Sequence, residues 1–255
     1  MTVEEKRALD EVVTTAQLEL TAEFNTGDIF VAGYPKSGNT WIQNMMAGLL
    51  FGVDTRLAPD PLIQDLVPDV HFKRFFRRYL SSMFFKTHDL PKPNYRRVIY
   101  LVRDGRDVMV SYFHHLAALG NSPDFLKLVS TGEGLFPCRW HEHLEAWTAN
   151  PHGAQIITIR YERLKDDTVT QLRRICDFAG LERERSFLKQ VARNAIFENM
   201  RKKEERFGWE NPDWPRDKAF VRRGKVGSFK DEMPAAVLEA FMRLSSATLR
   251  RFSYH

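Results

Sequence analysis

Four short apolar runs punctuate the chain, at positions 28–32, 84–86, 98–102 and 155–160. None alternates polar with apolar residues, so each reads as a strand covered on both faces, as in a parallel sheet. Between and after them apolar residues recur every three to four positions. Trp41, Ile42, Met45, Met46, Leu49 and Leu50 form one such stripe immediately after the first run. Others fall at 107–116, 140–147, 169–179 (Val169, Leu172, Ile175, Cys176, Ala179) and 234–249, the last opening on Pro234, which suits a first helical turn. Strands alternating with amphipathic helices predict an α/β chain, a three-layer αβα arrangement around a central, mainly parallel sheet. Periodicity leaves the strand order open. No repeat of 20–50 residues and no Pro/Gly/Ser-rich linker divides the sequence, so residues 1–255 read as a single domain.

With 43% hydrophobic and 28% charged residues over 255 positions, the chain has material for a substantial core, which excludes a disordered or low-complexity protein. No apolar run approaches the roughly 18 residues that span a bilayer, so no membrane association is expected. Residues 1–20 carry Glu4, Glu5, Asp10 and Glu11 rather than an apolar stretch, which argues against a secretory signal. Two isolated cysteines, Cys138 and Cys176, point to the cytoplasm, not to a disulfide framework. The net charge of +5 favours an anionic ligand.

Chemistry concentrates in four segments. The first, Gly33-Tyr-Pro-Lys36-Ser37-Gly38-Asn39-Thr40, lies between a strand and a helix, where backbone N–H groups and a helix N-terminus can cradle a phosphate. A nucleotide triphosphatase would place Lys after the second Gly; here Asn39 stands there and the cation, Lys36, sits inside the loop. The second is Lys86-Thr87-His88-Asp89-Leu90-Pro91, with an imidazole able to act as a base near neutral pH. The third runs from Arg103 to Ser111, a forked cation and a hydroxyl eight residues apart. The fourth, Arg222-Arg223-Gly224-Lys225-Val-Gly227-Ser-Phe229-Lys230, joins cations and glycines as an anion-gripping loop does.

In this order the four segments resemble those of the sulfotransferases that use 3′-phosphoadenosine 5′-phosphosulfate (PAPS), over about residues 28–229. The resemblance implies a P-loop-like fold and transfer of a sulfuryl group from PAPS to a hydroxyl or amine, releasing 3′-phosphoadenosine 5′-phosphate (PAP), with no metal. It implies His88 as general base and Lys36 and Lys86 as charge stabilisers. It also implies Lys36, Ser37, Gly38, Asn39, Thr40 and Trp41 at the 5′-phosphosulfate. Arg103, Ser111, Arg222, Arg223 and Gly224 would then hold the 3′-phosphate, and Tyr161, Phe197 and Met200 would meet the adenine together with Trp41. Asp89, inserted before Leu-Pro, either orients His88 or lengthens the loop. Phe229 stands where the family carries Trp.

The acceptor expected is a small apolar phenol or alcohol. Eight phenylalanines (72, 75, 76, 84, 85, 113, 125 and 136) could line its pocket, although most are equally expected in the core. A P-loop kinase using ATP is the nearest rival, and a basic nucleic-acid-binding module another, although no nucleic-acid signature is present. His141-Glu-His143 with Cys138 has poor geometry for a metal and reads as a solvated helix surface. The family's dimer segment is only partly matched at 230–239, where Pro234 and Ala235 replace Thr-Val, so a monomer or weak homodimer is expected.

Overall fold

A computed structural model describes residues 16–209 and 214–255; most of the stretch read for a secretory signal lies outside them. Strands β2 (Ile29–Gly33), β4 (Phe84–Thr87), β5 (Arg97–Val102) and β6 (Gln155–Arg160) form an all-parallel sheet in the order β4-β2-β5-β6. These are the four strands that the apolar runs predict. A separate antiparallel pair, β1 (Leu18–Leu20) with β3 (Phe75–Arg77), was not anticipated, because three residues carry too little periodicity to read.

Alternation along each strand divides the core in two. Phe30, Ala32, Phe85, Val98, Tyr100 and Val102 face helices α3 (Gly105–Ala118), α5 (Trp140–Ala149) and α11 (Ala235–Arg251). Ile29, Val31, Phe84, Ile99, Leu101 and Ile159 face α1 (Asn39–Phe51), α7 (Thr168–Ala179) and α8 (Arg185–Asn194). The result is the expected P-loop-like αβα sandwich with a central parallel sheet. Five further helices are α2 (Asp60–Leu66), α4 (Phe125–Thr131), α6 (Tyr161–Asp166), α9 (Phe197–Phe207) and α10 (Phe229–Glu232). Among the described residues no helix is long and apolar enough to cross a membrane.

One expectation fails in the interior. His143 is fully buried, not on a solvated surface. Its Nε2 lies 3.2 Å from the carbonyls of His88 and Asp89, and its Nδ1 lies 2.9 Å from the Tyr100 hydroxyl. Carbonyls only accept, so Nε2 carries the proton and Nδ1 accepts from Tyr100. A histidine in a helix reads as exposed until the distant strand that supplies its partners is known.

Candidate active site

The first three functional segments and Tyr161 follow the carboxyl ends of central strands, where parallel sheets gather their ligands, and the fourth reaches the same edge from the connection between α9 and α10. The loop after β2 carries Lys36, β4 ends in Lys86-Thr87 followed by His88, β5 is followed by Arg103, and β6 by Tyr161. The connection from β2 runs to β4 on one side while β5 and β6 lie on the other, so the crevice opens at the switch in strand order.

In the first loop Lys36 and Gly38 take positive φ (70° and 99°), a geometry that gathers successive N–H groups around an anion. Only glycine fits at 38, because a Cβ there would lie 2.7 Å from the Tyr161 ring. The N–H groups of Asn39, Thr40 and Trp41, in the first turn of α1, have no intrahelical acceptor. Asn39 Nδ2 donates to the Tyr34 carbonyl at 2.9 Å and braces the turn. Lys36 Nζ rests 4.4 Å from the centroid of the Phe220 ring. Burial, then repulsion from Lys86, Arg103 and Arg222, lowers its pKa to about 7.

At the end of β4, Lys86 pairs with the fully buried Asp69 at 2.7 Å. His88 Nδ1 lies 2.7 Å from the Gly33 carbonyl, so it carries the proton and leaves the Nε2 lone pair free. Burial first, and Lys86 second, push the His88 pKa down to about 3, which keeps the ring neutral. Asp89 does not bond the His88 ring. Its Oδ2 accepts from Tyr95 (2.6 Å), Lys92 (2.7 Å) and Thr87 (3.1 Å), so it anchors the lengthened loop.

The opposite wall is held from a distance. Arg103 donates to the carbonyls of Lys36 (3.1 Å) and Lys225 (3.2 Å) and lies over the Tyr161 ring, while its Nε is buried without a partner. Asp107 accepts from the backbone N–H of Gly227 (2.7 Å) and Phe229 (3.0 Å), pinning the fourth segment. Glu232 accepts from Arg222 (2.5 Å) and Arg223 (2.6 Å). Gly224, at φ 56°, packs where a Cβ would collide with Phe197, and Lys165 donates to its carbonyl.

These walls enclose one cavity of about 500 Å³. All the residues that the resemblance implicates line it except Ser37, whose fully buried hydroxyl lies outside and finds no partner. Trp41 lines it edge-on to Tyr161 (5.5 Å), with its indole N–H donating to the Ala195 carbonyl at 2.6 Å. Of the eight candidate phenylalanines only Phe72 and Phe136 reach the cavity; Phe76, Phe84, Phe85 and Phe125 belong to the core, and Phe75 and Phe113 stay outside the lining. Sequence reasoning missed His71, His115, Trp209 and Phe220, which also line it, together with Asp69, Asp107 and Glu232, which hold its cations. Asp107 and Phe220 lie within or at the edge of the third and fourth segments without a role assigned there; the others belong to no motif, and only the fold brings them to the site. Cys138, His141 and His143 do not form a metal cluster, and no group suited to a metal occurs among the described residues.

Seven cationic side chains line the cavity (Lys36, Lys86, Arg103, Lys165, Arg222, Arg223 and Lys225), and no carboxylate does so among its described lining residues. Such a cavity suits a ligand with several negative charges. The sulfotransferase domain model matches residues 26–253. An amine sulfotransferase of Oryctolagus cuniculus is 25% identical over 252 residues, covering 90% of this chain and 83% of the relative. Sulfotransferase 2A1 of Rattus norvegicus is 27% identical over 250 residues, covering 88% and 85%. Among solved structures, a retinol dehydratase in complex with androsterone and the inactive cofactor PAP superposes with a TM-score of 0.67 at 21% identity. That match covers 89% of this chain and 82% of that one, and shows the shared fold. On this evidence the chain belongs to the sulfotransferase family and is an enzyme of the PAPS-dependent kind.

Proposed function

We propose that residues 1–255 act as one domain that transfers a sulfuryl group from PAPS to the hydroxyl of a small apolar acceptor. The observation that carries this reading is the convergence of seven cations on a cavity whose described lining has no carboxylate. Burial first, and repulsion from Lys86, Arg103 and Arg222 second, lower the Lys36 pKa, and a bound anion relieves that repulsion. The orphan Arg103 Nε and the free N–H groups at the start of α1 point the same way. When bound, PAPS supplies an activated sulfuryl group on its 5′-phosphate and departs as PAP.

In this reading the loop from Lys36 to Trp41 holds the 5′ end through backbone N–H groups, with Ser37 serving the turn alone. Arg103, Ser111, Arg222, Arg223 and Gly224 hold the 3′-phosphate. Tyr161, Phe197, Met200 and Trp41 form the adenine wall. His88 Nε2 takes the proton from the attacking hydroxyl, a role open to it because the ring is neutral and its other nitrogen is committed to Gly33. Lys86, fixed by Asp69, faces the transferred oxygens, and Lys36 neutralises the oxygen that leaves. The seven cations supply the charge stabilisation that a metal provides elsewhere, and the described lining offers no carboxylate to hold one. Phe72, Phe136, Tyr112, Trp209 and Phe220 give the acceptor end an apolar surface, and an aromatic or alicyclic alcohol suits it. Free Cys138 and Cys176 are in keeping with action in the cytoplasm, as a monomer or weak homodimer.

The test compares PAP with ATP·Mg²⁺ by thermal shift and calorimetry. PAP at 100 times its dissociation constant adds about 2.7 kcal/mol of stability. Stabilisation by ATP·Mg²⁺ and none by PAP overturns the reading, as does failure to transfer labelled sulfate from PAPS to any phenol or alcohol.

A further inference from the structure

We infer that His71 is a second acceptor-binding residue, donating a hydrogen bond to an oxygen next to the one that attacks sulfur. The preferred acceptors then carry hydroxyl groups on two neighbouring carbons. The inference rests on the sulfotransferase reading and deepens it.

His71 lines the cavity directly beside His88, with ring centroids 5.8 Å apart and planes 14° from parallel. The Phe136 ring, which also lines the cavity, stands nearly perpendicular to it with centroids 5.3 Å apart. Its Nε2 lies 3.1 Å from the backbone N–H of His88 and therefore accepts. In a neutral imidazole this places the proton on Nδ1, and among the described residues that N–H has no partner. The two rings thus carry opposite senses: His88 Nε2 accepts, and His71 Nδ1 donates. One hydroxyl of a vicinal pair gives its proton to His88 as its oxygen bonds to sulfur and the bond from sulfur to the PAP oxygen breaks. The neighbouring oxygen accepts from His71 and fixes the ring in line for attack.

His71 is tied to the catalytic residues on both sides. Its own N–H donates to Asp69 Oδ1 at 2.9 Å, and the other oxygen of that buried carboxylate holds Lys86. Asp69 and Lys86 also meet as a parallel bridge, so the 69–71 segment moves with β4. Among the described residues one carboxylate oxygen comes within ion-pair distance of the ring: Asp89 Oδ1, 3.9 Å from Nε2.

The experiment compares 1,2-dihydroxybenzene with its 1,3-isomer, both bearing the same alkyl tail, in the wild type, His71→Phe and His71→Asn. PAP calorimetry on each protein checks that the donor site is folded. One added hydrogen bond predicts a wild-type kcat/KM ratio of up to about tenfold for the 1,2-isomer, expressed mainly in KM. The ratio falls to near unity in His71→Phe and is largely restored in His71→Asn, whose amide places a donor at the δ position. Equal use of the isomers by the wild type, or an undiminished ratio in His71→Phe, overturns the inference while leaving sulfuryl transfer intact. If a variant fails to bind PAP, the wild-type ratio alone decides. Absence of both PAP binding and transfer to either isomer in the wild type overturns the family-based reading instead.

Discussion

The phosphate loop at 33–40 takes its turn from neighbours in sequence, with Arg103 and His88 bonding its Lys36 and Gly33 carbonyls, whereas the loop at 222–228 takes its shape almost wholly from residues far away. In the first, a strand end, two positive-φ positions and the start of α1 follow one another, and Asn39 reaches back only five residues to Tyr34. In the second, Asp107 holds the backbone across 120 positions, Arg103 holds the Lys225 carbonyl, and Glu232 occupies the arginines. The difference is one of preorganisation. The near loop keeps Lys36 among like charges, while the far loop has one acid behind it, Glu232, that pairs with both Arg222 and Arg223 until an anion arrives.

Replacing the cation of the near loop has the largest expected effect. Lys36→Met lowers kcat by about 100-fold or more, the order of loss for one transition-state charge donor, and it does not lower Tm, because the lysine is repelled rather than paired. A parallel loss of Tm would show that the near loop depends on Lys36 for its fold. Breaking the far loop comes next. Asp107→Ala strips two backbone N–H groups of a charged acceptor, at a cost of about 2 kcal/mol. The PAP dissociation constant rises about thirtyfold by calorimetry. An unaltered affinity would mean that the far loop is as self-sufficient as the near one.

Proton linkage sharpens the contrast further. Lys36 titrates at about 7 in the free protein, and a bound phosphate or phosphosulfate raises that value. Between the two values binding takes up a proton. PAP affinity therefore falls by up to about tenfold per pH unit above 7, with proton uptake measurable by calorimetry in buffers of different ionisation enthalpy. Lys36→Met abolishes that uptake and Asp107→Ala leaves it in place.

The same contrast governs what could be read from the sequence. Four strands, α1 and the near loop were legible because short-range patterning specifies them, down to the glycine required beside Tyr161. The cations of the far loop were legible as residue types, but Glu232 and Asp107, which restrain them, were not. His71 follows Val70 in no motif, and only the bridge between Asp69 and Lys86 carries it to the site. Helices α8 and α9 went unread despite clear amphipathicity. Their apolar residues are sparse among charges, so the buried stripe is narrow in each. Sheet order depends on long crossovers, which hydrophobic periodicity does not encode.

The smallest effect tests the sheet-braced half, where His143 ties α5 to the His88 loop. Burial lowers its pKa to about 4, against about 6.5 in an unfolded chain. Between those values the unfolded state binds a proton that the native state refuses, so stability falls as pH falls. The slope is about 1.4 kcal/mol per pH unit, fully developed a little below 6.5 and ending near 4. Urea unfolding at pH 7 and pH 5.5 detects a loss of about 1 kcal/mol from this group, and His143→Gln removes that share of the slope while lowering stability at both values. Stability that rises over the same interval would show that the ring is charged in the native protein, contrary to its bonds to Tyr100 and the carbonyls of His88 and Asp89.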